Sequence, residues 1–148
     1  MTRRSDPQDP SRRWTHDSLI GPPAVRALVS DLIASGFAVG TDTGTSSVNR
    51  LLELTGPGCG VRITADRGEW WVELGRPPEI GWYDAGVWSA CLDDRPVVGE
   101  AAPLDEQVEI VLRRWSEVAV AAAGIDDCLA RTRQRRARER LGLPPVLG

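Results

Sequence analysis

A short alternating pattern constrains this chain more than any other part of it. Val61, Ile63 and Ala65 alternate with Arg62 and Thr64; Asp66-Arg67-Gly68 follows; then Glu69-Trp70-Trp71-Val72-Glu73-Leu74 alternates again. Successive side chains of a strand point to opposite faces, so two such runs around a turn predict a β-hairpin with one buried face. Trp70, Val72 and Leu74 fall on the core side. Glu69, Trp71 and Glu73 fall on the other side, which sets a tryptophan between two carboxylates. Pro77 and Pro78, after Gly75, end the pattern.

The flanking elements follow from helical spacing. Val25, Leu28, Val29, Leu32 and Ile33 recur at i, i+3, i+4, i+7 and i+8 behind Pro22-Pro23, which predicts a helix with one buried stripe, stopped at Gly36. Residues 37–40 suit a short strand, residues 41–47 a loop, and residues 48–55 a second strand. Asp84 can cap a short helix on which Val87, Trp88, Cys91 and Leu92 share a face, and a strand over residues 83–92 is the competing reading. Leu104-Asp105-Glu106 opens a helix whose stripe is Val108, Val111, Leu112, Trp115, Ala119 and Ala122, and Gly124 ends it. A last helix over residues 125–141 carries Asp126 and Asp127 at its positive end and arginines at its negative end. The expected fold is α+β: an antiparallel sheet of three to four strands, with the hairpin of residues 61–74 central, packed with an N-terminal helix and two C-terminal helices.

Charge divides the chain into three stretches. The net charge is −3. Residues 14–130 hold eight Arg against eighteen Asp and Glu, a balance of −10. Residues 1–13 hold four Arg against two Asp, and residues 131–148 hold six Arg against one Glu, so +2 and +5 restore the total. The expected organisation is a disordered basic tail over residues 1–13, one acidic domain over residues 14–130, and an arginine-rich helix end and tail over residues 131–148. All 18 basic residues are Arg, which with the abundant Ala, Gly and Pro points to a GC-rich bacterial genome rather than to selected bidentate contacts. The first thirty residues lack the apolar core of a signal peptide and no run matches a membrane span, so a cytoplasmic location is expected. Cys59, Cys91 and Cys128 are odd in number and widely spaced, which is read as three reduced thiols.

Candidate chemistry is sparse. Asp42-Thr43-Gly44-Thr45-Ser46 resembles the Asp-Thr-Gly signature of aspartic proteases, with Val97-Val98-Gly99 as its apolar-apolar-Gly companion. That resemblance implies a dimer, because the reaction needs two aspartates sharing a proton. Asp42, however, follows Gly40-Thr41 rather than an apolar strand, and Asp-Thr-Gly is ordinary turn chemistry. His16 is the sole histidine, too isolated for a catalytic or metal set, and Asp93-Asp94 and Asp126-Asp127 read as turn and cap residues. No catalytic residue, metal or cofactor is expected. Arg131, Arg133, Arg135, Arg136, Arg138 and Arg140 form the candidate nucleic-acid contact, since arginines neutralise phosphates and release counterions. The acidic body opposes that use; a solvated helix end is the preferred reading of the run, and docking of this basic end on the acidic body is a third.

Trp70, Trp88 and Trp115 lie on apolar stripes and read as core. Glu69, Trp71 and Glu73, with Trp82 and Asp84 nearby, form the candidate partner-binding surface, because buried-rim aromatics anchor interfaces and carboxylates select basic partners. In size, acidity and the runs Trp82-Tyr83-Asp84 to Leu92 and Leu104-Asp105-Glu106-Gln107-Val108, the chain resembles the small acidic immunity proteins of bacterial polymorphic toxin systems. That resemblance implies a non-catalytic module that neutralises a cognate toxin, a basic domain such as a nuclease, by stoichiometric binding. The alternatives are a nucleic-acid-associated protein acting through the basic helix and a dimeric aspartic-protease-like enzyme using Asp42.

Overall fold

The computed structural model describes residues 21–43, 49–95 and 102–142. The expected tail over residues 1–13, His16, the residues from Gly44 to Val48, Val97-Val98-Gly99 and the last six residues lie outside the described residues. The elements run α1 (Pro23–Ala34), β1 (Ala38–Thr43), β2 (Arg50–Thr55), β3 (Gly60–Asp66), β4 (Glu69–Arg76), β5 (Ile80–Asp84), α2 (Ala85–Leu92), α3 (Leu104–Val120) and α4 (Ile125–Arg140). The fold is α+β, and the five strands form one antiparallel meander in the order β1-β2-β3-β4-β5.

The hairpin forms in the register its alternation dictates, with Val61 opposite Leu74, Ile63 opposite Val72 and Ala65 opposite Trp70. Arg67 and Gly68 both have positive φ, 54° and 82°, the backbone of a two-residue hairpin turn whose twist matches its strands. The buried side of the sheet carries Leu52, Leu54, Val61, Ile63, Val72 and Leu74. They share one core with Val25, Leu28, Val29 and Leu32 of α1 and Val108, Val111 and Val118 of α3. The opposite face holds Leu51, Thr64 and Trp71 in one cross-strand row and Glu53, Arg62, Glu73 and Asp84 in the next.

Three sequence expectations change. The sheet has five strands rather than three to four, because residues 80–84 form an edge strand. Its period is broken by a register shift between Leu74 and Arg76, so Ile80 and Tyr83 are both buried although three apart, and no alternation announces it. Thr41, Asp42 and Thr43 belong to β1 rather than to a loop; pairing with Leu51, Leu52 and Glu53 holds turn-prone residues extended. Residues 85–92 form the short helix that the Asp84 cap predicts rather than the competing strand, and what changes is the helix count, four among the described residues in place of one N-terminal and two C-terminal helices.

Cysteine pairing is a fourth correction. Cys91 of α2 and Cys128 of α4 form a disulfide with Cα atoms 5.9 Å apart, while Cys59 is a buried free thiol. A separation of 37 residues carries no spacing signal, and only the packing of α4 on α2 brings the two together. Burial pushes the Cys59 thiol up to about 11, against the lowering influence of Arg76. Its Sγ–H donates to the Trp115 carbonyl.

The fold also contains a strand substitute. β5 pairs with β4 only from Glu73 onward, so the first half of β4 lacks a neighbouring strand on that side. The Val72 N–H instead donates to Gln107 Oε1 of α3 at 2.9 Å, and Gln107 Nε2–H donates to the Ala102 carbonyl at 2.7 Å. Gln107 is almost fully buried. Leucine in its place would leave a buried N–H unsatisfied, a loss of roughly 1–3 kcal/mol. Gln107→Leu is therefore expected to lower the urea midpoint by that equivalent with an unchanged m-value.

Candidate functional site

Glu69, Trp70 and Trp71 are consecutive, so they alternate between the two faces of the sheet; all three nevertheless line one cleft. That is possible only if the cleft runs along an edge of β4. The β3 side is fully paired from Glu69 to Gly75, which leaves the side vacated by the short β5. The cleft measures about 810 Å³, within the range of ligand and peptide pockets. Its second wall is the C-terminal half of α4, with Arg133, Arg136, Ala137 and Arg140, and its end is closed by Pro103, Leu104 and Gln107 of the α3 start.

α4 reaches this position although it is a poor apolar helix. Leu129 is its one fully buried apolar side chain, worth about 2 kcal/mol. The remainder of its attachment is covalent and polar. The disulfide holds its first turn, Tyr83 O–H donates to Asp126 Oδ1 at 3.3 Å, and the Arg133 guanidinium lies 4.6 Å from the centre of the Tyr83 ring. The buried Arg136 donates to Asp84 Oδ2. Asp84 Oδ1 accepts the Val87 N–H at 2.8 Å, which caps α2 as its position in the sequence predicts.

The arginine run is therefore not one patch. Arg133, Arg136 and Arg140 stand at i, i+3 and i+7 and face the cleft, whereas Arg131 and Arg135 are exposed elsewhere on the helix. Arg138 is half-buried and already engaged. The six arginines expected as a continuous nucleic-acid contact are split between faces, and Arg136 is committed to the fold.

The structure joins two sets that the sequence kept apart. Glu69, Trp71, Glu73 and Asp84 of the expected partner surface line the same cleft as three of the arginines. Trp82 does not. It lies farther along the open face of the sheet, over Gly60 and Gly75, where a Cβ at Gly60 would come within 2.7 Å of its ring. The Arg62 guanidinium stacks 4.5 Å from the Trp82 ring centre and pairs with Glu53 at 3.0 Å and Glu73 at 3.9 Å. Trp71 and Trp82 are both half-buried, and Trp71 faces α4 across the cleft. Asp84 has both oxygens occupied and acts as a support of the site.

Half of the lining residues escaped sequence reasoning as site residues, Gln107, Leu104 and Val87 among them. Gln107 had a signal, since it stands three residues after Leu104 and four before Val111 on the apolar stripe of α3, where a polar side chain needs a buried partner. Asp42, the resemblance to a protease aside, sits in the edge strand β1 and pairs with the buried Arg50 at 3.4 Å.

Glu73 is the site's perturbed acid. Desolvation raises it above its ordinary 4.5, Arg62 and Arg133 act in the lowering direction, and Asp84 adds to the rise. A carboxyl raised in the fold contributes stability below its ordinary value and loses it as pH climbs through the folded value. The stability of Glu73→Gln relative to the parent protein is accordingly expected to increase from pH 4 to pH 7.5 in urea titrations; a flat difference would mean that the Arg62 pairing cancels the burial. Comparison of the chain with protein-family models, with curated proteins and with solved structures finds no match.

Proposed function

We propose that this chain is a non-catalytic protein-binding module, and that it acts as an immunity protein which neutralises a cognate bacterial toxin by stoichiometric occupation of the toxin's surface. The observation that carries the reading is the position of Trp71. It stands partly buried where the open sheet face meets the cleft, on a strand fixed by pairing with β3 from Glu69 to Gly75. A rigid aromatic with two side-chain dihedrals gives contact area at small entropic loss, the usual property of an interface anchor.

The charges refine the partner. Among the described residues Glu69 makes no ion pair, and neither do Arg133 and Arg140, so the rim offers both signs. A uniformly basic toxin surface would meet the Glu53, Glu69 and Glu73 side of this rim favourably and the α4 side unfavourably. The partner that fits carries basic groups toward the sheet and acidic groups toward α4.

The decisive experiment is affinity capture from the native cell with the parent protein and with Trp71→Ala. The variant is expected to weaken capture of its partner by tenfold or more, on the order of an interface hot spot, with an unchanged melting profile; equal capture would remove the cleft and the sheet face from the function. Location is tested alongside. The proposal includes action in the cytoplasm, where glutathione keeps Cys91 and Cys128 as thiols. Alkylation in rapidly quenched cells then labels both, and both blocked in those quenched cells would overturn the cytoplasmic location. No helix among the described residues is long and apolar enough to cross a membrane.

A further inference from the structure

The vacated edge of β4 carries an inference that rests on the protein-binding reading and specifies how the partner is held. Because the Val72 N–H points away from β3, strand alternation turns the Trp70 N–H and C=O to the same side, into the cleft. Among the described residues nothing bonds them. Gln107 satisfies Val72 with a side chain, in the place where an adjacent strand would otherwise donate and accept. Among the described residues the ladder therefore stops one residue pair short of Trp70, with the geometry of the next pair set.

The opposite wall tells what an added strand would bring. α4 runs past this edge with Arg133 and Arg140 toward the cleft, neither in an ion pair among the described residues, while Arg136 between them is neutralised by Asp84. Two guanidinium groups without an ion pair among the described residues, Arg133 stacked on Tyr83 and Arg140 exposed, face a strand edge across a slot and call for a carboxylate on the incoming chain. We propose that the cleft binds an extended segment of a partner protein by strand addition at Trp70, with an acidic side chain or C-terminal carboxylate of that segment held by Arg133 and Arg140. Main-chain pairing supplies affinity that is insensitive to sequence, and the arginines supply selection for acid. Trp70 and Leu104 flank one side of the added strand and Trp71 the other, so alternate side chains of the segment meet an apolar wall and an aromatic rim.

A phage-displayed library of random decapeptides, panned on the full-length protein, tests this. Recovered peptides are expected to be enriched in Asp and Glu. In synthetic form they are expected to lose about tenfold in affinity toward Arg133→Glu and toward Arg140→Glu, both exposed positions whose folding is checked by circular dichroism. An N-methyl scan of the best peptide should show the same loss at the residue opposite Trp70 and little loss at its neighbours, because only that amide faces the edge. Arg113→Ala, exposed on α3 and paired with Glu109 away from the cleft, should leave peptide affinity unchanged. A flat N-methyl scan, peptides without acidic enrichment, or no recovered peptide overturns strand addition. Each of those outcomes leaves the protein-binding reading standing if Trp71→Ala still loses the captured partner, and that reading fails separately if it does not.

Discussion

Asp84 joins the parts of this molecule that matter for its function. One carboxylate oxygen caps α2 and the other receives the buried Arg136, so a single side chain ends β5, starts the next helix and fixes α4. An arginine buried without such a partner would be strongly unfavourable, and a carboxylate at a helix N-terminus is favoured by the free N–H groups there. With the Cys91–Cys128 bond at the other end of the contact, α4 is held at two points although it buries little apolar surface. The position of the basic wall of the cleft depends on the Asp84–Arg136 contact, to which the disulfide, where it forms, adds a second attachment.

The open sheet face is organised by the same row. Glu53, Arg62, Glu73 and Asp84 lie side by side across four strands, and the row continues into Arg136 of α4. Arg62 is shared between two carboxylates and an indole face, which orders it at little entropic expense because its planar group is already oriented. Each of these partly exposed pairs contributes a fraction of a kilocalorie to roughly 1 kcal/mol. Their larger effect is to hold Trp82 flat over Gly60 and Gly75 and to leave Trp71 beside, rather than within, the charged row. The result is a rigid surface whose apolar and charged parts are separated by one strand row.

How much of this was legible in the residues varies with the range of the interaction. The hairpin, α1 and α3 announce themselves because each buries one face over many residues, and a repeated pattern survives any single exception. β5 does not, since five residues with a bulge at Gly81-Trp82, opposite Gly75, are too short and too irregular to show a period. The candidate site was half legible. Glu69, Trp71 and Glu73 were found from alternation, and the arginines from composition, but nothing in the sequence placed the two sets on facing walls. Gln107 carried a weak local signal, a polar residue on an apolar stripe, whose meaning required the missing strand beside Val72.

By itself, then, the sequence determined what is local and periodic: which residues of β3 and β4 face the core, where α2 is capped, and that the two ends of the chain are basic around an acidic body. Tertiary structure alone decided what depends on elements distant in the chain meeting in space. It paired Cys91 with Cys128, committed Asp84 and Arg136 to each other, divided the arginines between two helix faces, and left the edge of β4 at Trp70 open. The reason is physical. Alternation and capping act over two to four residues and are written in their order, whereas pairing across 37 or 52 positions is set by how α4 packs on α2 and β5, which no spacing encodes.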